Sequence, residues 1–179
     1  MRPRDRLRFA LRARVVAAAL GLLVAACGGG DDVSRFNAVL LGSNEVPPVT
    51  SASTALYGFE VKENDTVIFY RGSIIGLDRD EIVGANVYLG EPGENGPILF
   101  ALDAPLVDDV TEFDVEGVLL AEDLAPDSGL ATFQDAVAAI RAGRAYVSVQ
   151  TTGNPTGEIR GAIVKGAPSR RGLSGIPSF

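Results

Sequence analysis

The sequence predicts an all-β domain, a β-sandwich or closed barrel of about eight short strands with one short helix. Three observations carry this reading. Apolar and polar residues alternate over short runs, the period of a half-buried strand. The runs are separated by clusters of Gly, Pro, Asn and Asp in a chain with 21 Gly and 10 Pro, so the backbone turns often. A single segment shows helical spacing instead. With 46% apolar residues the chain can build a packed core, and 179 residues is the span of one domain of ordinary size.

The expected strands occupy residues 36–41, 56–62, 66–74, 83–89, 98–102, 111–120, 145–151 and 159–165. In the second, Leu56, Gly58, Glu60 and Lys62 share one face while Tyr57, Phe59 and Val61 share the other. Glu63-Asn64-Asp65 then makes a turn into the third strand, which is a hairpin signal. The helix begins after Thr132, a capping residue, with Asp135 three positions on to complete a capping box. It runs to Arg141 and stops at Ala142-Gly143, where glycine suits the residue just beyond a helix end. Phe133, Val137 and Ile140 fall on one side of it, so it is expected to close one end of the strand assembly and has no functional signature.

Residues 1–26 read as a targeting segment rather than as part of the fold. Six arginines, from Arg2 to Arg14, precede an apolar run over residues 15–26 that is short for a membrane-spanning helix. The run ends in Val24-Ala25-Ala26-Cys27, which resembles a bacterial lipobox, so Cys27 is the expected site of lipid attachment, a thioether-linked diacylglycerol joined by a palmitate-type acyl chain. Residues 27–34, with Gly28-Gly29-Gly30-Asp31-Asp32, form a polar tether. The folded domain is expected over residues 35–165, and residues 166–179, with Pro168, Arg170, Arg171 and Pro177, form a loosely ordered tail. This organisation places the protein in the bacterial cell envelope, outside the cytoplasm, with its lipid holding it to a membrane. Cys27 is the sole cysteine, so no disulfide forms within the chain and the core alone must stabilise it.

Setting aside residues 1–26 removes six of the 16 basic and one of the 23 acidic residues, leaving 10 against 22 and a net charge of −12. Such a surface repels nucleic-acid phosphates and anionic headgroups, which argues against DNA or RNA as a partner.

Three separated motifs add a resemblance. They are Gly42-Ser43-Asn44-Glu45-Val46-Pro47-Pro48-Val49; Gly84-Ala85-Asn86-Val87-Tyr88-Leu89-Gly90 followed by Gly93-Glu94-Asn95-Gly96-Pro97; and Ala145-Tyr146-Val147-Ser148-Val149-Gln150-Thr151 followed by Asn154-Pro155-Thr156-Gly157-Glu158-Ile159-Arg160-Gly161. In this order, with Leu120-Ala121-Glu122-Asp123-Leu124 ahead of the helix, they resemble a chordin-type (CHRD) domain over residues 36–165. The resemblance implies an immunoglobulin-like β-sandwich and a family with no established general enzymatic activity. Family members often carry histidines where this chain has Asn86, Tyr88, Ser148 and Gln150, and the whole chain contains no histidine. Amide, phenol and hydroxyl groups are poor direct ligands for zinc or copper, so no metal and no other cofactor is expected. Alternation places Asn86 with Tyr88, and Ser148 with Gln150, on shared strand faces, and these four are the candidate binding face for an envelope protein or a glycan.

Glu158 and Arg160, two apart, are expected on one strand face as a structural charge pair that fixes register, with a catalytic role for Glu158 the less favoured reading. The absence of histidine excludes Ser-His-Asp and Cys-His arrangements, and no glycine-rich loop opens a helix in a nucleotide-binding context. Asp78-Asp80-Glu81 and Asp108-Asp109-Glu112-Asp114 offer oxygen ligands without the spacing of a calcium loop, and solvated acidic loops are the default reading. The sequence therefore favours a non-catalytic surface module. The alternative is a carboxylate-dependent hydrolase or a calcium-dependent protein of unfamiliar type.

Overall fold

The computed structural model describes residues 33–62, 64–102 and 112–166. Cys27 and the residues before it, the tether as far as residue 32, Asp108 and Asp109 of the second acidic cluster, and the tail beyond Gly166 lie outside the described residues. Among these residues nine strands follow in order: β1 (Ser34–Leu41), β2 (Thr54–Lys62), β3 (Val67–Ile75), β4 (Ile82–Leu89), β5 (Ile98–Leu102), β6 (Glu112–Leu119), β7 (Ala145–Thr151), β8 (Ile159–Ala162) and β9 (Val164–Lys165). One helix, α1 (Phe133–Arg141), separates β6 from β7.

Eight strands hydrogen-bond along one antiparallel path, β5-β4-β7-β8-β1-β2-β3-β6, and β9 pairs with β1 beside it. The path curls into a nearly closed, barrel-like sheet, so the expected all-β domain of about eight strands and one helix holds. Within the stretch 159–165 the structure makes two strands of the expected one. Ile163 is fully buried and its N–H donates to the Ala145 carbonyl of β7, while Val164 and Lys165 turn to pair with Asn37 and Phe36 of β1.

The alternation read from β2 is realised in the core: Tyr57, Phe59 and Val61 are at most 2% exposed. They pack with Phe36, Ile68 and Tyr70, and burial of such side chains contributes about 1.5–3 kcal/mol each. The cross-strand partners explain two strand glycines. Tyr57 stands opposite Gly72 and Tyr70 opposite Gly117, and each ring occupies the space a β-carbon would need. Tyr57 has a cost attached, because among the described residues its buried hydroxyl finds no hydrogen-bond partner. The β2–β3 turn places Asn64 and Asp65 in the left-handed region, at φ 55° and 68°, which short polar side chains tolerate.

The helix starts where its cap predicts. Asp135 N–H donates to Thr132 Oγ1 at 3.1 Å and Thr132 N–H donates to Asp135 Oδ2 at 3.0 Å, which satisfies two donors that a helix start leaves unpaired. Gly143, at φ 73°, ends it. Phe133, Val137 and Ile140 enter the same core as the strands, with the Phe133 ring edge-on to Phe100 at 5.6 Å. On the exposed side Arg141 pairs with Asp65, tying the helix to the β2–β3 turn.

Candidate functional site

Pairing of β4 with β7 and of β7 with β8 sets Asn86, Ser148 and Arg160 in one row across three strands, with Tyr88 beside Tyr146 in the next row. These side chains point away from the apolar core that Ala85, Val87, Val147 and Val149 enter. Even so, all seven residues of β7 are buried. Two loops cover its outer face: residues 42–53, between β1 and β2, and residues 90–97, between β4 and β5.

The four positions of the candidate binding face converge. Asn86 Nδ2 donates to Gln150 Oε1 at 2.8 Å and lies 3.5 Å from the Tyr88 hydroxyl. Gln150 Nε2 donates to the Tyr88 hydroxyl and to Ser148 Oγ, both at 3.1 Å. Ser148 and Gln150 are 2% and 6% exposed, so Asn86 and Tyr88 are the pair that meets solvent. No charged side chain belongs to that outward pair.

Three further residues complete the cluster, and sequence reasoning had not joined them to it. Glu45, 6% exposed, accepts a hydrogen bond from Ser148 Oγ at 2.7 Å. Tyr146 stacks on Tyr88 with ring centroids 5.0 Å apart. The Arg160 guanidinium lies 3.4 Å from the Tyr146 ring centre, donates to Asn95 Oδ1 at 2.7 Å and bonds the Glu94 carbonyl. The signal for them was present in the sequence: Glu45 sits in the first of the three motifs, Tyr146 and Arg160 in the third, and Asn95, which Arg160 bonds, in the second.

The motifs therefore meet in space. Asn44 Nδ2 donates to the Arg160 carbonyl at 3.1 Å, Asn95 Nδ2 donates to the Val46 carbonyl at 3.0 Å, and Gly96 N–H donates to the Tyr146 hydroxyl at 3.3 Å. Their glycines make this approach possible. A β-carbon on Gly96 would overlap the Leu89 carbonyl, and one on Gly157, which has φ 144°, would overlap the Glu45 carboxylate. The result is a clasp that holds both loops against β7 and β8.

Glu158 and Arg160 take separate partners in this arrangement. Glu158 precedes β8 and accepts from Thr151 Oγ1 at 3.2 Å and from Asn154 Nδ2, whereas Arg160 turns to the clasp. Burial works to raise the Glu158 carboxyl, but its hydrogen bonds from Ser51, Asn154 and Thr151 outweigh this and hold it below the usual carboxylate range. Burial pushes the Glu45 carboxyl above that range, opposed by the Ser148 hydrogen bond and the attraction of Arg160. Tyr88 is also raised by burial. Among the described residues no three His, Cys, Asp or Glu side chains come together as a metal site, and Asp78, Asp80 and Glu81 are exposed around a short turn.

Chemically, the cluster holds one hydroxyl beside one carboxylate, the minimum for a nucleophile and its base. Both are closed off. The Ser148 hydroxyl donates to Glu45, the charge of Arg160 attracts that carboxylate, and both residues are buried.

Fold and cluster together define a small all-β domain whose outer strand face is locked by two motif-bearing loops. The chain belongs to the CHRD domain family, whose family model matches residues 36–163. No curated protein and no solved structure matches it.

Proposed function

We propose that this chain is an extracytoplasmic lipoprotein of the bacterial envelope, anchored through Cys27, whose CHRD domain is a non-catalytic binding or envelope-structural module. The observation that carries the non-catalytic part is the closed state of Ser148 and Glu45, at 2% and 6% exposure, with each satisfied inside the protein. A hydrolase would need a carboxylate or hydroxyl open to its substrate. The partly exposed Asn86 and Tyr88 leave amide and phenol groups for recognition of a protein or glycan, which is a binding chemistry. Attachment through lipid rests on the arginine-rich start, the apolar run and the small residues before Cys27.

Metabolic labelling tests the anchor. Labelled palmitate should enter the wild-type chain and follow it into the membrane fraction, and Cys27→Ala should abolish the labelling. A soluble, unlabelled wild-type protein would overturn the lipoprotein reading.

A further inference from the structure

The loop that supplies Glu45 to the clasp has a second role further along. Beyond the clasp, residues 48–54 wall a groove floored by the outer faces of β1 and β2, with a volume of about 810 Å³. That lies within the range of roughly 300–1,000 Å³ typical of small-molecule sites. Its apolar surface comes from Val39, Leu41, Leu56 and Val49, and Val39 and Leu41 remain 51% and 41% exposed.

The composition of the lining restricts what fits. Among the described residues the groove is lined by Asn, Gly, Ser, Thr, Pro, Ala, Val and Leu, without one charged or aromatic side chain, on a chain in which 22% of residues are charged. An anionic head group would meet no cation there and would be repelled by the net negative chain. A sugar would find no ring to stack on. Three of the hydroxyls are committed within the protein, Thr54 Oγ1 to the Leu40 carbonyl at 3.0 Å, Ser53 Oγ to the Gly76 carbonyl at 2.6 Å and Ser51 to the Glu158 carboxylate. Aliphatic surface is left, with Ser43 and Thr50 exposed beside it.

We propose that this groove binds an uncharged aliphatic ligand of lipid type, a single alkyl or acyl chain with a small hydroxyl-bearing head. The chain lies on the exposed Val39 and Leu41, with Leu56 buried beneath it, and the head meets the exposed hydroxyls of Ser43 and Thr50. The site is separate from the Asn86–Tyr88 face and does not depend on how the protein is anchored.

The test uses the full chain carrying Cys27→Ala, so that no anchor lipid contributes, and a monoacylglycerol with a photoactivatable group in its chain, adducts being mapped by peptide mass. Adducts should concentrate within residues 37–56. Unlabelled monoacylglycerols should compete with a potency that rises about twofold to fourfold for each added methylene. The fatty-acid anion of equal length should compete at least about tenfold less well. Val39→Glu and Leu41→Glu, both at exposed positions, should cut labelling at least about tenfold with unchanged circular dichroism, because a carboxylate on the groove floor cannot be buried under an alkyl chain. Val118→Glu, at a residue 45% exposed on β6, should leave labelling intact. The proposal is overturned by adducts scattered over the surface, by potency indifferent to chain length, or by equal loss in Val118→Glu. It is also overturned if labelling appears only after residues 167–179 are deleted, which would make the tail the occupant. Self-association that Val39→Glu abolishes, without specific labelling, would make a second copy the occupant and overturn it likewise.

Discussion

Replacing Arg160 with alanine is the most direct perturbation of the clasp. The side chain is 3% exposed, bonds Asn95 and the Glu94 carbonyl, covers the Tyr146 ring and attracts the buried Glu45 carboxylate through its charge. Its removal loses two hydrogen bonds from a charged group, each worth about 1.5–3 kcal/mol, and leaves the Glu45 carboxylate without its neighbouring cation. The loss should depend on pH in a defined direction. Because burial raises the folded carboxyl of Glu45 above its unfolded value, its stabilising contribution is complete below the ordinary carboxylate range and disappears as pH rises through the folded value. Without Arg160 the folded value moves higher still, so Arg160→Ala should be milder near pH 4, where Glu45 is protonated, and most severe near pH 7. Glu158 works in the opposite sense. Its folded value is depressed, so its contribution is present above the unfolded value and lost as pH falls, but its partners Thr151 and Asn154 survive the substitution. The assay is urea unfolding followed by circular dichroism at both pH values, for Arg160→Ala, Glu45→Gln and the double variant. A coupling of about 1–3 kcal/mol is expected between the two positions at pH 7. A loss below about 1 kcal/mol at pH 7, or additive effects in the double variant, would refute the clasp.

Two more predictions test the core and the outer face. Tyr57→Phe should stabilise the domain by about 1–2 kcal/mol, because it removes a buried hydroxyl that has no partner, and an unchanged or lower Tm would show that the hydroxyl is satisfied in solution. The natural chain should purify without stoichiometric zinc, whereas joint replacement of Asn86, Tyr88 and Gln150 by histidine should create a zinc site. The hydrogen bonds that now join these side chains, at 2.8–3.5 Å, bring their polar atoms within reach of one ion. Calorimetry should show binding by the variant that weakens below about pH 6.5 as the imidazoles protonate. Tight zinc binding by the natural chain, or none by a folded triple variant, would defeat this reading.

Much of the fold follows from local chemistry that needs no partner. The alternation of Tyr57, Phe59 and Val61, the turn at Asn64-Asp65, the Thr132–Asp135 capping box and the stop at Gly143 are each properties of a few consecutive residues, and each appears where the sequence puts it. The alternation on β4 and β7 likewise placed Asn86 with Tyr88 and Ser148 with Gln150, though only the pairing of the two strands brought the four together. The split of residues 159–165 into β8 and β9 was not legible, because it depends on Ile163 bonding to β7 while its neighbours bond to β1. Nor could the sequence show that Glu45 and Arg160 share one buried place, 115 positions apart. Sequence spacing two apart suggested that Arg160 would join Glu158, but a side chain's partner is fixed by what the folded loops bring within reach. At Arg160 that was the Asn95 loop and the Tyr146 ring, and at Ser148 it was Glu45. Local chemistry thus set most of the elements and the faces of their side chains, since these depend on neighbours along the chain. The tertiary structure alone decided which polar groups face water and which are shut beneath the loops, because burial is a property of contacts between distant segments.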